Sequence, residues 1–282
     1  MNALEWLRIV LIGIIEGITE WLPISSTGHM LLFDEIFPTV APDIFTPSFS
    51  EMFMVVIQLG AILAVVTLYF RKLNPLSRKK TAEERKDTWS LWGKVLVGCV
   101  PAAIAGFLLD DWMEEHFGNH ITIAIMLIVY GVLFIVIELV NKRRTPKVGS
   151  LGQLTYKTAL FIGLIQVLSL IPGTSRSGVT ILGAMLLGCS RFVAAEYTFF
   201  LAIPVMIGAS GFKIIKYFVA GNSLSGMQVL IMFVAMAVAY VVSVFAIKLL
   251  MKFIKKHDFK PFGVYRIALG VLVLIAFAFW IK

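Results

Sequence analysis

Six apolar segments, each close to 20 residues long, constrain the fold of this chain more than any other feature. A helix needs about 20 mostly apolar residues to cross the hydrocarbon core of a bilayer. The segments of this kind are residues 52–70, 91–109, 121–140, 197–218, 227–249 and 262–281. With 59% hydrophobic and 15% charged residues, the chain also lies outside the range of soluble globular domains. We therefore predict an all-α polytopic membrane protein with six transmembrane helices.

Two further apolar stretches, residues 4–32 and 158–190, contain polar side chains and helix breakers. Pro23 interrupts the first stretch, and Pro172 with Gly173 interrupts the second. Proline removes a helical hydrogen bond and clashes with the preceding turn, so neither stretch is expected to span the membrane as one helix. We predict two re-entrant helical hairpins, and we call them hairpin one (4–32) and hairpin two (158–190).

The polar motifs of the two hairpins lie 150 residues apart and align without a gap. Hairpin one contains EGITEWLPISSTGH (16–29), and hairpin two contains QVLSLIPGTSRSG (166–178). The aligned pairs include Glu16 with Gln166, Ser25 with Ser175, Ser26 with Arg176, and Gly28 with Gly178. This similarity indicates an internal duplication within a single membrane domain (1–282), with repeat one at 1–145 and repeat two at 146–282.

The distribution of charge predicts how the chain crosses the membrane. Nineteen of the 25 Lys and Arg residues lie in three stretches, 71–94, 141–157 and 248–266. Basic loops remain in the cytoplasm, whereas the acidic stretches 33–51 and 110–120 contain no Lys or Arg and are predicted to face outward. The two halves then run in opposite directions, as an inverted-topology repeat with both termini extracytoplasmic. Lys213 and Lys216, near the outer end of their span, run against this pattern.

The partner predicted from composition is the bilayer itself. The net charge of +8 would favour nucleic acid in a soluble protein. Here most of the basic residues flank apolar segments, which is the pattern of membrane topology. We therefore predict no nucleic-acid partner.

Three ionisable side chains lie at membrane depth in the hairpins. Glu16 and Glu20 are four residues apart, so they project from one face of a helix, and Arg176 lies in hairpin two. Each such side chain costs about 2.5–3.5 kcal/mol at the centre of a bilayer, which favours a functional role. The alternative is that Glu16, Glu20 and Arg176 pair only to hold the two hairpins together.

Each hairpin proline is followed by a hydroxyl-rich turn that leads into an apolar helix. Backbone N–H groups at a helix amino terminus attract phosphate, and the Arg176 guanidinium is a fork-shaped phosphate donor. The predicted phosphate-binding residues of the turns are Ser25, Thr27, Gly173, Thr174, Ser175 and Ser177. The alternative is that these hydroxyls cap helices and allow close packing of backbones.

Hairpin one also contains a candidate nucleophile, Ser26. His29 follows three residues later, which on a helical turn places its imidazole near the Ser26 hydroxyl.

These motifs resemble those of the undecaprenyl-diphosphate phosphatase family, the bacitracin-resistance type of bacterial membrane phosphatase. The resemblance rests on EGITE followed by SSTGH, on PGTSRSGVT, and on VVIQLGAILAVV (55–66) and LAIPVMIGA (201–209), and it covers essentially the whole chain. It implies hydrolysis of undecaprenyl diphosphate to undecaprenyl phosphate and phosphate, which recycles the lipid carrier for cell-wall synthesis and confers bacitracin resistance. It also implies a multi-pass protein of the bacterial plasma membrane.

The resemblance also implies roles for individual residues. Glu16 and Glu20 form the acidic motif, Ser26 is the proposed nucleophile, His29 is its partner and Arg176 is the phosphate ligand. A divalent cation, Mg²⁺ or Ca²⁺, is implied as cofactor, with Glu16 and Glu20 as its ligands.

The residues leave alternatives open. Ser26 attacks the terminal phosphorus and gives its proton to Glu20 or His29, or a cation-activated water attacks directly. A different class of function, a polyprenyl-phosphate flippase, is compatible with an inverted repeat of broken helices. A structural scaffold would leave the polar clusters unexplained. The oligomeric state, monomer or homodimer, is left open.

Overall fold

The computed structural model describes residues 2–142 and 144–279, and within these residues every regular element is a helix. An isolated bridge between Val148 and Cys189 is the one β-type pairing in that part of the chain. Arg143, which sequence analysis counted among the loop cations, and the end of the sixth predicted span lie outside the described residues. The predicted all-α polytopic class is confirmed.

The two hairpins are helix–turn–helix units that break at the predicted prolines. Hairpin one consists of α1 (Ala3–Thr19) and α2 (Ser26–Ile36), and hairpin two of α8 (Tyr156–Gln166), a 3₁₀ turn (Val167–Leu170) and α9 (Arg176–Leu186). All four α-helices begin at a residue whose side chain accepts a hydrogen bond from a first-turn amide. The re-entrant placement of these units in a bilayer stays a prediction.

Six helices in the described chain are long and apolar enough to cross a membrane, at the six predicted positions. The first is formed by α3 (Pro47–Val56) and α4 (Gln58–Leu68) and is followed by the short α5 (Phe70–Leu73). The others are α6 (Ala82–Phe117), α7 (His120–Asn141), α10 (Arg191–Val219), α11 (Gly226–Phe253) and α12 (Lys260–Phe279).

Two features of these spans were not predicted. The first span is interrupted at Ile57, where the hydroxyl of Ser210 donates a hydrogen bond of 3.2 Å to the Val55 carbonyl. An inserted side chain of this kind is a common cause of a break in the helical ladder. In addition, α6 begins nine residues before its apolar segment, because Thr81 and Glu84 form a reciprocal capping box.

The first arm of each hairpin packs against a spanning helix of the other half of the chain. Helix α1 lies along α11, α8 lies along α6, and α7 packs against α12. These contacts are close: a Cβ on Gly17 would lie 2.8 Å from the Ala239 carbonyl oxygen, and a Cβ on Gly163 would overlap the backbone of Gly98. The contact of α1 with α11 and that of α8 with α6 are therefore equivalent in the two halves. The inverted repeat and the division into two repeats stay predictions.

The two lysines that opposed the charge pattern are neutralised by acids. Lys213 pairs with Glu51 at 2.7 Å and with Asp110 at 2.9 Å, and Lys216 pairs with Asp111 at 2.5 Å. All three acids belong to the stretches that the sequence predicts to face outward. The excess positive charge at this end of α10 is thereby cancelled.

Candidate active site

The turns of the two hairpins share one backbone conformation. Ser25 and Ser175, the N-caps of α2 and α9, have φ angles of 72° and 71°, in the left-handed region that favours glycine. Their hydroxyl oxygens accept hydrogen bonds from the amides of Gly28 and Gly178, at 3.5 and 3.2 Å. Both helices therefore begin at equivalent positions of the aligned motifs, and each amino terminus has further N–H groups available for an anion.

The strained cap gives a prediction for Ser175. Replacing Ser175 with Ala removes the capping hydroxyl and keeps the positive φ, so we expect a loss of about 1–2 kcal/mol in unfolding free energy. Replacing it with Gly removes the same hydroxyl but relieves the backbone strain. The loss in unfolding free energy should then be only a few tenths of a kcal/mol. Thermal unfolding of the purified protein measures both. A larger loss for Gly than for Ala would contradict this interpretation.

An ion pair joins the two hairpins. Arg176 Nη2 donates to Glu20 Oε1 at 2.5 Å, and Nη1 donates to the Thr198 carbonyl at 3.1 Å. The arginine and glutamate side chains are only 12% and 8% exposed. The guanidinium carbon also lies 6.0 Å from the centre of the Trp21 ring. The structure thus brings an acid of hairpin one and the cation of hairpin two into direct contact.

Ser26 lies beside the same carboxylate. Its hydroxyl oxygen is 3.5 Å from Glu20 Oε2, so the two oxygens of Glu20 contact Ser26 and Arg176 separately. A distance of 3.5 Å is at the limit of a hydrogen bond, and such contacts often shorten when substrate binds. Ser26 is half-buried and the neighbouring Thr27 is exposed. Glu20 is therefore placed to accept the proton of a hydroxyl that remains partly accessible.

His29 is directed to different partners from those expected from sequence. Its Nδ1 lies 2.7 Å from the Ser25 carbonyl oxygen, and its Nε2 lies 2.7 Å from the hydroxyl of Tyr265 on α12. Because a carbonyl can only accept, Nδ1 carries the proton and Nε2 accepts from the tyrosine. The rings also stack, 5.6 Å apart. Both ring nitrogens of His29 thus have other partners. The expected contact between His29 and Ser26 is absent from the described hydrogen bonds, and the Ser26 hydroxyl contacts Glu20 instead. Tyr265 gave no signal in the sequence, since a tyrosine in an apolar segment is ordinary.

Several buried polar atoms of the two hairpins have no hydrogen-bond partner among the described residues. Glu16 is 2% exposed, and its Oε1 has no hydrogen-bond partner among the described residues. The same holds for both side-chain polar atoms of Gln166, its aligned counterpart, and for the hydroxyl of Thr174. A buried carboxylate oxygen without a donor fits a ligand of a hard divalent cation. No cluster of three or more His, Cys, Asp or Glu suited to a metal occurs in the described chain.

The other predicted residues of hairpin two shape the turn. The Ser175 and Ser177 hydroxyls are 3.3 Å apart, so Ser177 supports the cap. Gly173 has a φ of 88°, and a Cβ there would lie 2.6 Å from the Ile123 carbonyl oxygen on α7. Glycine is therefore required at this position both by conformation and by space.

Arg266 on α12 holds both turns and was missed as a site residue. Its Nη1 donates to the Pro23 carbonyl at 3.3 Å, and its Nη2 donates to the Gly173 and Thr174 carbonyls at 2.9 and 3.0 Å. The residue is 0% exposed. Sequence analysis counted it among the cations of a cytoplasmic loop, which is wrong: it lies within α12, as Lys248 lies within α11. The available signal was a lone Arg inside an apolar segment, which marks functional sites.

Replacing Arg266 tests whether the two turns must be held together. Arg266→Lys keeps the charge but loses the planar fork, so one ammonium cannot donate to both turns with the same geometry. Because a displacement of about 1 Å at an active site can cost roughly 100-fold in rate, we expect turnover to fall about 10- to 100-fold. Turnover and unfolding temperature, measured on the same samples, separate a loss of positioning from a loss of folded protein. Turnover that falls only in proportion to the folded fraction would contradict the positioning role.

A known protein family matches most of this chain. The profile of the family described as "Bacitracin resistance protein BacA" matches residues 9–272. Both hairpin motifs and all spans up to most of α12 lie within that range.

Individual relatives match over nearly their whole length. A Streptococcus thermophilus protein named undecaprenyl-diphosphatase is 56% identical over 271 residues, which cover 96% of this chain and 93% of the relative. An Enterococcus faecalis protein of the same name is 57% identical over 267 residues, 95% of each chain. One from Lactiplantibacillus plantarum is 55% identical over 271 residues, 96% of this chain and 97% of the relative.

Proposed function

The chain belongs to the bacitracin resistance protein BacA family, and we propose that it is a membrane-embedded undecaprenyl-diphosphatase. It hydrolyses the terminal phosphate of undecaprenyl diphosphate and returns undecaprenyl phosphate to cell-wall synthesis. In agreement with the family description, it confers resistance to bacitracin. It lies in the bacterial plasma membrane, with both termini on the extracytoplasmic side.

One observation carries the proposal: Arg176 of hairpin two and Ser26 of hairpin one contact the two oxygens of Glu20. A phosphate-binding cation, a hydroxyl nucleophile and a carboxylate base are the three groups that transfer of a phosphoryl group to serine requires. The described chain also has six helices long and apolar enough to cross a membrane, as expected for an enzyme with a lipid substrate.

Binding of substrate exchanges the partner of Arg176. The guanidinium is bidentate in form and binds phosphate oxygens as readily as carboxylate oxygens. When the terminal phosphate reaches Arg176, it competes with Glu20 Oε1 for the guanidinium. Glu20 then loses part of its ion pair with Arg176, and its carboxylate is left to accept the hydroxyl proton of Ser26. Arg176 neutralises charge on the transferred phosphoryl group, and the N–H groups at the start of α2 and α9 add to this stabilisation.

The chemical step follows from the same contacts. The Ser26 oxygen attacks the terminal phosphorus while Glu20 accepts the hydroxyl proton. The bond between that phosphorus and the bridging oxygen breaks, and undecaprenyl phosphate leaves with the bonding electron pair. Glu20 passes the proton it holds to the leaving undecaprenyl phosphate and is again a carboxylate. Water then attacks the phosphoserine, Glu20 accepts a proton from the water and passes it to the departing Ser26 oxygen, and inorganic phosphate is released. His29, bonded to Ser25 and Tyr265, fixes the turn that carries Ser26.

A divalent cation, Mg²⁺ or Ca²⁺, would be held by Glu16 and Glu20. It would supply positive charge for the diphosphate oxygens. The unpartnered Oε1 of Glu16 supports this assignment.

The aligned positions differ in a way that favours hydrolysis over lipid transport. The duplication pairs Glu16 with Gln166 and Ser26 with Arg176, so each half contributes different chemistry. A carrier that alternates between two equivalent states has no need of this difference.

Phosphate release tests the proposal. The purified full-length protein is incubated with undecaprenyl diphosphate and Mg²⁺ or Ca²⁺, and both products are quantified. We expect one phosphate per undecaprenyl phosphate, loss of at least about 90% of the activity on chelation with EDTA, and recovery when the cation is restored. If no phosphate is released with any divalent cation while the lipid is moved across vesicle membranes, the flippase function is favoured instead.

A further inference from the structure

A cavity of about 1050 Å³ lies apart from the hairpin turns, at the face that carries the basic connections. It is enclosed by the end of α7 with the following loop, the end of α9, the start of α10 and the residues just after α11. None of Glu16, Glu20, Ser26 and Arg176 lines it. The catalytic function proposed above does not use this cavity.

Positive charge dominates the cavity wall. The basic residues that line it are Lys142, Arg144, Lys147, Arg191 and Lys255. No Asp or Glu occurs among the lining residues that the structure describes. Arg191 is neutralised by Glu138, with contacts of 2.8 and 2.5 Å. The other four cations form no ion pair within the described residues. An anion entering the cavity would therefore meet up to four uncompensated charges.

The backbone holds these cations around the cavity. The amide of Lys147 donates to the Gly188 carbonyl at 2.9 Å, and the amide of Ser190 donates to the Val148 carbonyl at 2.9 Å. These bonds join the loop after α7 to the segment that precedes α10. The loop is thereby fixed against the helix start, so its basic side chains surround a formed space.

Apolar side chains complete the wall. Leu186 is 56% exposed and Phe192 is 38% exposed, and Leu187 and Ile254 lie beside them. Exposed apolar groups next to unpaired cations match an amphiphile whose phosphate contacts the cations and whose chain lies on the apolar wall. Basic pockets between membrane helices bind lipid headgroups in this manner. A free phosphate ion would use the cations and leave the apolar wall in contact with water.

We propose that this cavity is a second anion site, which binds the phosphate group of an anionic ligand outside the catalytic centre. The apolar wall favours the headgroup of an anionic membrane lipid as the source of that phosphate. Inorganic phosphate is the other source of the same chemistry.

Removal of the unpaired lysines tests the proposal. The cavity variant combines Lys142→Gln, Lys147→Gln and Lys255→Gln. The matched control combines Arg78→Gln, Lys79→Gln and Lys86→Gln, three exposed cations just before or in the first turns of α6 that do not line the cavity. Both variants remove the same charge from the full-length protein, and all six side chains are exposed, so folding should be preserved.

Native mass spectrometry in neutral detergent measures the binding of phosphatidylglycerol, with phosphatidylcholine as the zwitterionic comparison. We expect the cavity variant to bind phosphatidylglycerol at least about tenfold more weakly than wild type, since each basic residue near a headgroup contributes about a factor of five. The control should stay within about twofold. If both variants weaken equally, or if phosphatidylglycerol binds no better than phosphatidylcholine, the site does not exist.

Competition with inorganic phosphate identifies whether the phosphate group bound in the cavity comes from a lipid headgroup or from free phosphate. Retention of phosphatidylglycerol at millimolar phosphate assigns the site to a lipid headgroup, and its displacement assigns the site to free phosphate. Undecaprenyl-diphosphate hydrolysis should be unchanged in the cavity variant, which separates this site from the catalytic centre. The single variant Lys147→Gln, with an expected three- to fivefold weakening, repeats the test with minimal disturbance.

Discussion

Arg176→Met is expected to reduce phosphate release by about 10³- to 10⁵-fold, the range that a charge-stabilising arginine contributes to phosphoryl transfer. Two effects add in this variant. The terminal phosphate loses its guanidinium, and Glu20 Oε1 loses its partner at 2.5 Å in a position only 8% exposed. An unpaired buried carboxylate is costly, so Glu20 is also expected to leave its position beside Ser26. The rate is measured as phosphate released from undecaprenyl diphosphate under single-turnover conditions.

Arg8→Met provides the matched control. Arg8 is 10% exposed, compared with 12% for Arg176, and it pairs with Asp34 at 2.6 Å elsewhere in hairpin one. The same chemical change is made to an equally buried arginine whose acid partner, Asp34, is 40% exposed and which contacts neither turn. We expect the Arg8 variant to keep more than about a tenth of the wild-type rate. If both variants lose activity equally, Arg176 has only a structural role.

Ser26→Ala is expected to reduce turnover by at least about 10³-fold, because the attacking oxygen is removed. The change deletes a single half-buried hydroxyl oxygen that lies 3.5 Å from Glu20, so the ion pair with Arg176 should remain. Substrate affinity should therefore change much less than the rate. Single-turnover phosphate release and equilibrium binding of undecaprenyl diphosphate measure the two quantities separately.

Ser50→Ala is the control for this variant. Ser50 is also half-buried but lies on α3, so its replacement should retain near wild-type turnover. Residual turnover of Ser26→Ala above a few per cent would exclude phosphoserine as an obligatory intermediate. Direct attack by a cation-activated water would then be the preferred route, with Glu16 and Glu20 as cation ligands.

The sequence was sufficient for those parts of the fold that depend on local chemistry. Six apolar lengths predicted the spans, and Pro23 and Pro172 predicted the hairpin breaks, because backbone sterics act at the proline itself. The contact between Glu20 and Arg176 could also be anticipated, since charges at membrane depth seek partners.

Features that depend on tertiary contacts could not be predicted from local sequence patterns. The break at Ile57 depends on the Ser210 hydroxyl, which lies 155 residues from Val55 in the chain. The bond between His29 and Tyr265 spans 236 residues. Arg266 was hidden for another reason: charge counting treats a buried arginine near a span end as a loop cation. Long-range contacts accompany the break at Ile57 and the His29–Tyr265 pair, and no local pattern predicts them; for Arg266 the local signal was a lone Arg inside an apolar segment.

A structure with a bound substrate analogue tests the proposed site most directly. The ligand is a polyprenyl diphosphate with a non-hydrolysable methylene bridge, bound in the presence of Ca²⁺. We predict the terminal phosphate in hydrogen bonds to Arg176, with its phosphorus about 3–3.5 Å from the Ser26 oxygen and in line with the bridging atom. A diphosphate bound away from both residues, for example in the basic cavity at the start of α10, would contradict the proposed catalytic centre.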